Sequence, residues 1–226
     1  MRFFDVLVAV TATIFLMPLF FILVILIRVM LGRPVLFRQK RAGYKGRIFE
    51  LFKFRTMTNE TDAEGNLLPD EQRLTRFGRF LRKSSLDELP QLWNIIKGDM
   101  GLVGPRPLHA RYLPRYNERQ AKRHDVRPGL TGWTQVLFRN NASWEQKLEQ
   151  DAWYVENKNP WLDLKIVFKT VGKVLFAKNV NAAGSATAPE FSPTTQTHSP
   201  NPQATPNTQS PPTKQKREHT SSPHTT

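Results

Sequence analysis

Val6–Ile27 reads VLVAVTATIFLMPLFFILVILI, twenty-two residues without a charge. As one helix the run would measure about 33 Å, against a bilayer hydrocarbon core of about 30 Å. It predicts a membrane segment. The run is longer than a signal-peptide core, no small-x-small cleavage site precedes Arg28, and a dense basic stretch follows, so the segment is expected to stay on the protein. Pro18 falls mid-run and removes the N–H that would bond the Ile14 carbonyl, which bends a helix there. Two topologies follow: a kinked spanning helix, which membranes tolerate, or two half-helices that enter and leave by one face. Arg28, Arg33, Arg38, Lys40, Arg41, Lys45 and Arg47 crowd the C-terminal flank, the cytoplasmic signature of the positive-inside rule. Arg2 gives the other flank a positive charge too, and each half is too short to cross alone. Residues 1–32 are therefore expected to enter and leave through the cytoplasmic face.

Outward from this run the chain stays basic. Its 226 residues carry 33 Lys plus Arg against 19 Asp plus Glu, a formal charge of +14. With 39% hydrophobic residues there is enough apolar side chain for one core, which excludes a wholly disordered polycation. The absence of cysteine excludes disulfides, thiolate nucleophiles and Cys-ligated metal sites. From about Pro189 eight of the seventeen prolines occur among Ser, Thr, Gln and Asn, and no large apolar residue follows Phe191. Such a stretch cannot bury a core, so 181–226 is expected to be disordered. The tail holds almost none of the charge. Eight basic residues lie between Arg33 and Arg55 instead, which suits anionic head groups or a polyphosphate.

Helical periodicity covers 70–83, 85–97, 108–124, 143–156 and 161–178, and strand signal is limited to 34–38 and 47–57. In 161–178 apolar residues alternate with Lys165, Lys169, Lys173 and Lys178, the pattern of a basic helix lying on a membrane surface or packed on a core with snorkelling lysines.

Chemistry concentrates in Ser84-Ser85-Leu86-Asp87-Glu88-Leu89-Pro90-Gln91. Two adjacent carboxylates in a first helical turn behind Ser84 or Ser85 read structurally as a capping box. Functionally, the positive end of a helix favours ionised carboxylates and attracts phosphate. Adjacent helical residues point about 100° apart, so Asp87 and Glu88 are not a proton-sharing dyad; one can be a nucleophile while the other binds metal or a neighbouring base. Pro90 implies a tight or kinked turn. Cations in rigid settings surround the pair in sequence: Arg106 between prolines in Gly104-Pro105-Arg106-Pro107, Arg127 before Pro128-Gly129, and Lys53 and Arg55, which alternation would put on one strand face with Leu51. Such donors grip phosphate with little ordering cost. No Walker, Rossmann, zincin or nucleophile-elbow motif is present. His109 and His124 are expected to be solvated or capping residues.

Five blocks, Lys53-Phe54-Arg55-Thr56-Met57, Ser85–Leu92, Lys97-Gly98-Asp99-Met100, Val103–Pro107 and Val126–Trp133, resemble the successive motifs of the bacterial sugar transferases, the monotopic polyprenyl-phosphate phosphoglycosyl transferases. They occur in family order, and the resemblance covers roughly 2–180, similar to the small, bacillosamine-type members. It implies that Asp87 attacks the β-phosphorus of a UDP-sugar, that UMP leaves, and that undecaprenyl phosphate then displaces Asp87, as a first membrane step of glycoconjugate assembly. It further implies Glu88 assisting, Mg²⁺ held at Asp87 and Glu88, Lys53, Arg82, Arg106 and Arg127 as the cations on the pyrophosphate, and an inner-membrane, cytoplasmic-face location beside downstream glycosyltransferases. Phosphoryl transfer asks for these things: a placed nucleophile and cations on developing charge. The chain departs from the family pattern at Met17-Pro18, where a Ser-Pro is usual, at Gly101, and at Leu137-Phe138, which replace an Asn-Gly turn.

The expected fold is thus mostly α with a minor short β element: a re-entrant membrane helix–break–helix over 1–32, a compact cytosolic catalytic domain with amphipathic interfacial helices over 33–180, and the tail. A non-catalytic membrane-tethered adaptor for anionic lipid or nucleic acid is the competing reading. A nucleic-acid partner is not expected, because no stacking-aromatic motif accompanies the basic charge. A soluble-substrate glycosyltransferase, which would release UDP, is the third reading.

Overall fold

The computed structural model describes residues 2–138, 142–175 and 190–191. Two helices open the chain, α1 (Arg2–Phe15) and α2 (Met17–Met30), with Pro18 in the first turn of α2 and their axes bent by 64°. No single described helix is long and apolar enough to cross a membrane, although the bent pair is by length and composition. Pro18 explains the break, since it has nothing to donate to Ile14, and Phe20 N–H returns to the Leu16 carbonyl to restart the helix.

Both ends of this pair are tied to the same body. At the start, the Arg2 guanidinium donates to the Ile95 and Ile96 carbonyls at 3.2 Å each, completing the C-terminal turn of α5 (Gln91–Lys97), where the helix dipole favours a cation. Asp5 accepts from Leu102 N–H, and Ala9 is buried among Leu51, Leu92, Ile95 and Met100. At the other end Leu23, Ile27 and Leu31 pack with Phe54 and Leu81. The opposite faces of α1 and α2 expose Phe3, Leu7, Ile14, Phe21, Ile25 and Val29.

An antiparallel hairpin follows, β1 (Leu36–Ala42) with β2 (Ile48–Phe54), in register from Leu36↔Phe54 to Ala42↔Ile48. Because β2 stops at Phe54, Arg55 leaves the face it was expected to share with Lys53. Instead it donates to the Leu31 and Arg33 carbonyls at 3.1 and 2.6 Å, closing the end of α2. The expected 70–83 helix is two, α3 (Asp70–Arg73) and α4 (Arg76–Lys83), because Thr75 accepts from Gly78 N–H and starts a new one. Over 108–124 the helix is likewise interrupted, by Pro114 inside a 3-10 turn (Ala110–Arg115) and by an Asn117 capping box that opens α6 (Glu118–Ala121).

Three elements escape sequence periodicity. Strands β3 (Gly101–Val103) and β4 (Gly129–Thr131) pair in parallel, and α7 (Trp133–Leu137) is a single turn and a half. A Cβ on Gly129 would lie 2.1 Å from the Gly104 nitrogen, so only glycine lets the Gly104–Pro107 and Arg127–Gly132 segments touch backbone to backbone. Two separate sequence motifs thereby become one rigid ledge.

The remaining expected helices are present as α8 (Trp144–Asn157) and α9 (Pro160–Leu175); residues 176–178 lie outside the described residues. In α9 Ile166 is buried with Val103, Val136 and Tyr154, whereas Trp161, Leu164, Phe168 and Val171 form an exposed apolar stripe at helical spacing. One helix therefore both packs on the core and presents a second apolar face. Of the stretch 181–226, expected to be disordered, Glu190 and Phe191 are described, Glu190 exposed and Phe191 buried at 1% exposure; the rest lies outside the described residues.

Candidate active site

The turn that carries the carboxylates is not a helix start. Helix α4 ends at Ser84, whose hydroxyl donates back to the Phe80 and Leu81 carbonyls, and Ser85 takes the left-handed conformation at φ 57° with no side-chain cap. Leu86–Glu88 then form a 3-10 turn, and α5 begins only after Pro90. The capping box that the local sequence allowed is absent. Ser85 and Lys45, in the hairpin turn, are the two non-glycine residues with positive φ among the described residues.

The Glu88 carboxylate turns to two cations, 2.6 Å from Lys53 Nζ and 2.7 Å from the Arg106 guanidinium. Asp87 is 7% exposed and lies 3.8 Å from the same Lys53. Lys53 reaches both from β2, which is locked to α5 by the fully buried Asn94: its Oδ1 accepts from Phe52 N–H and its Nδ2 donates to the Glu50 carbonyl. Arg106 arrives on the glycine-pinned ledge. Arg82 approaches from α4, which lies so close to Thr56 that a Cβ on Gly78 would meet its carbonyl at 1.8 Å. The Arg82 Nε donates to the Thr56 hydroxyl, and its charge acts on Asp87.

Environment separates the two carboxyls. Burial raises the Asp87 pKa, with Glu88 pushing the same way, against Lys53, Arg106 and Arg82. Burial also works to raise Glu88, but Arg106 and Lys53 outweigh it and hold that carboxyl at about 2. Asp87 is thus the costly, more basic oxyanion and Glu88 the fixed anion that positions cations.

A further cation, part of the general basic run in the sequence, joins them. Arg41, on β1, lines one small cleft with Lys53, Gln91 and Arg106; it donates to the Pro107 carbonyl, and its buried Nε has no protein partner. Burial and Arg106 lower its pKa to about 10. Its signal in the sequence was only position, two residues before the hairpin turn. Lys53, Arg106 and Arg41 thus act on the two carboxylates, and Arg82 acts on Asp87 while also interacting with Asp70.

The other candidates lie elsewhere. Arg55 closes α2, as described, and exposed Arg127 donates to the Gly98 carbonyl while its guanidinium stacks over Tyr44. His124, expected to be a solvated or capping residue, is buried against Tyr116 with Nδ1 on the Gly43 carbonyl; burial and Arg123 bring its pKa to about 4. No cluster of three or more metal-ligating side chains occurs among the described residues.

The bacterial sugar transferase family model matches residues 1–177. The chain belongs to the bacterial sugar transferases. This transferase is 52% identical over 194 residues to the uncharacterized sugar transferase EpsL of Bacillus subtilis (strain 168), covering 84% of the chain and 94% of that relative. It is 38% identical over 179 residues to the UDP-N-acetylgalactosamine-undecaprenyl-phosphate N-acetylgalactosaminephosphotransferase of Aeromonas hydrophila, covering 76% of the chain and 42% of that protein. It is also 38% identical over 185 residues to the UDP-glucose:undecaprenyl-phosphate glucose-1-phosphate transferase of Xanthomonas campestris pv. campestris, covering 77% and 38%. The transferase therefore spans nearly all of the first relative and about two fifths of the other two.

The Glu88 arrangement makes a stability prediction. A carboxyl whose folded pKa is about 2, below its ordinary 4.5, stabilises the fold fully above pH 4.5 and loses that contribution as pH falls toward 2. The difference in thermal midpoint between the wild type and Glu88→Gln should be largest near neutrality and close across that window. A difference that stays constant from neutral pH into acid would refute the ion-pair assignment.

Proposed function

We propose that this transferase moves a sugar-1-phosphate from a UDP-sugar to undecaprenyl phosphate and releases UMP, with Asp87 as covalent nucleophile. The observation that carries the reading is the excess of cations over carboxylates around a buried aspartate of raised pKa. Such a site lacks negative charge, and a pyrophosphate brings it. An Asp87 oxygen forms a bond to the β-phosphorus while the bond from that phosphorus to the bridging oxygen breaks, and UMP leaves with the electron pair. An oxygen of undecaprenyl phosphate then bonds the same phosphorus, the Asp87 ester breaks, and the carboxylate is restored. Lys53 is placed to stabilise charge at Asp87, and Arg106, fixed through Glu88, to stabilise the equatorial oxygens. Arg41 lines the same cleft.

Mg²⁺ suits the donor set at one carboxylate: it keeps most of its waters and takes one or two carboxylates beside substrate phosphates. Asp87 would hold it, whereas Glu88 Oε1 is already engaged by two cations. When bound, it would neutralise charge on the pyrophosphate. Relatives are named for UDP-N-acetylgalactosamine and UDP-glucose donors, so the donor class we propose is a UDP-hexose or UDP-N-acetylhexosamine.

The acceptor's chemistry calls for a membrane-level site. The outward apolar faces of α1 and α2 and the Trp161–Val171 stripe support seating on lipid head groups, and the basic flanks favour the cytoplasmic face of the inner membrane. A protein that hands a lipid-linked sugar onward works upstream of glycosyltransferases.

The test is product analysis with purified protein, Mg²⁺, UDP-sugars and undecaprenyl phosphate. UMP in stoichiometry with lipid-linked sugar phosphate is expected. Release of UDP would mean a glycosyltransferase, and release of neither nucleotide would favour the adaptor.

A further inference from the structure

Glu190-Phe191, from the stretch composed like a disordered tail, is seated in a built socket. The Phe191 ring contacts Tyr112 edge-on at 5.6 Å, stacks on Tyr116 at 5.7 Å and tilts against Trp144 at 5.5 Å. Its backbone is held as well: its N–H donates to the Tyr112 hydroxyl at 3.3 Å, and its carbonyl accepts from Arg115 at 2.6 Å. The Glu190 carboxylate pairs with Arg115 at 3.0 Å and Arg111 at 3.4 Å. Two charges, two backbone groups and a fully enclosed ring are all satisfied by two residues. A contact by apolar chance would not pair the main chain and the carboxylate as well.

The socket backs directly onto the site. Tyr116, the ring on which Phe191 stacks, accepts from Arg123 at 3.4 Å and lies under that guanidinium at 5.9 Å. Arg123, buried and paired with Asp151, donates at 2.7 Å to the carbonyl of Arg106. Arg106 in turn holds Glu88. A contiguous set of contacts, Phe191–Tyr116–Arg123–Arg106–Glu88, thus joins the docked pair to the carboxylate turn.

We propose that the Tyr112/Tyr116/Trp144 socket with Arg111 and Arg115 is a peptide-binding site for an acidic-aromatic pair, filled in cis by Glu190-Phe191, and that its occupancy positions Arg106 for transfer. The binding half is independent of the proposed reaction, and the positioning half rests on it. Filling the socket fixes the Tyr116 ring, which limits where Arg123 can hold the Arg106 backbone. Arg106 is otherwise half exposed, so its reach to the reacting phosphate depends on its backbone being held.

The experiment uses the full chain carrying Phe191→Ala and a fluorescein-labelled peptide of residues 187–193, Thr-Ala-Pro-Glu-Phe-Ser-Pro. The variant should bind the peptide by polarisation, the wild type should not because its socket is filled, and a peptide with Ala for Phe should bind neither. In UMP release the variant should lose about tenfold in kcat with KM for the UDP-sugar nearly unchanged, as expected for a misplaced charge rather than a lost binding contact, and saturating peptide should restore it. Should Phe191→Ala fail to fold, Glu190→Arg at the exposed carboxylate serves instead, with rescue by Arg115→Glu. Absence of peptide binding to the emptied socket would overturn the site. Peptide binding with unchanged kcat would overturn the positioning role. A wild type that releases no UMP would sink the proposed reaction while the polarisation result still stands.

Discussion

Asp87→Asn should abolish transfer and leave the protein at least as stable as the wild type. The activity half follows from chemistry: the amide keeps the shape of the side chain but has no oxyanion to form the phosphoester, and loss of a nucleophile costs on the order of 10³-fold or more. The stability half follows from electrostatics. Burial raises the Asp87 pKa, so at neutral pH the fold bears a charge that it would rather not hold, and a neutral isostere relieves it. Lys53 keeps its closer partner, Glu88, at 2.6 Å. Phosphosugar labelled in the β-phosphate should be trapped on the wild type and not on the variant, and the thermal midpoint should stay level or rise. Glu88→Gln should do the reverse to stability, because it strips two cations of their shared anion. Substantial turnover by Asp87→Asn would end the covalent reading. A fall in its midpoint would show instead that the pair stabilises the fold.

The contrast between adjacent carboxylates was partly legible in the chain. Two acids at neighbouring positions ahead of Pro90 pointed to divergent side chains, and the rigid setting of Arg106 between two prolines marked it as a cation held for use. What could not be read was which side chains arrive together. Arg55 looked equivalent to Lys53 by alternation, yet β2 ends one residue earlier and the guanidinium goes to the carbonyls that α2 leaves open. Arg127 carried the same Arg-Pro signature as Arg106, but the Gly104–Gly129 contact sets the two side chains on different errands. Arg41 and Asn94 had no signature, since their importance comes from a cleft and a buried hydrogen-bond cross-link that only the hairpin-to-α5 packing creates. Phe191 was misleading for a related reason. Composition averages over a tail, whereas a single aromatic with a neighbouring acid needs only one complementary socket to become part of a core.

A cysteine placed at position 3 should be inaccessible from the outer side of the membrane, and restoring helical continuity at Pro18 should not by itself expose it. Phe3 is 81% exposed, so a label there reports topology with little loss of packing. The break alone argues weakly for re-entry, because Pro18→Leu would regain the bond to Ile14 and recover roughly 3 kcal/mol of helix. Docking of α1 argues more strongly. A spanning helix would carry Arg2 and Asp5 to the far side of the bilayer, leave the Ile95 and Ile96 carbonyls and Leu102 N–H without these partners, and strip Ala9 from a core in which it is 0% exposed. It would also move the Arg2 charge outward against the positive-inside preference. Reaction of Phe3→Cys with a membrane-impermeant maleimide in intact spheroplasts should therefore be absent in the otherwise wild-type and Pro18→Leu proteins. It should appear only when Pro18→Leu is combined with Arg2→Glu and Ala9→Leu, which unseat α1. Labelling of the otherwise wild-type protein from outside would establish a spanning helix and overturn re-entry. Labelling of Pro18→Leu alone would show that the proline, rather than the docking of α1 on α5 and β3, holds the amino terminus inside.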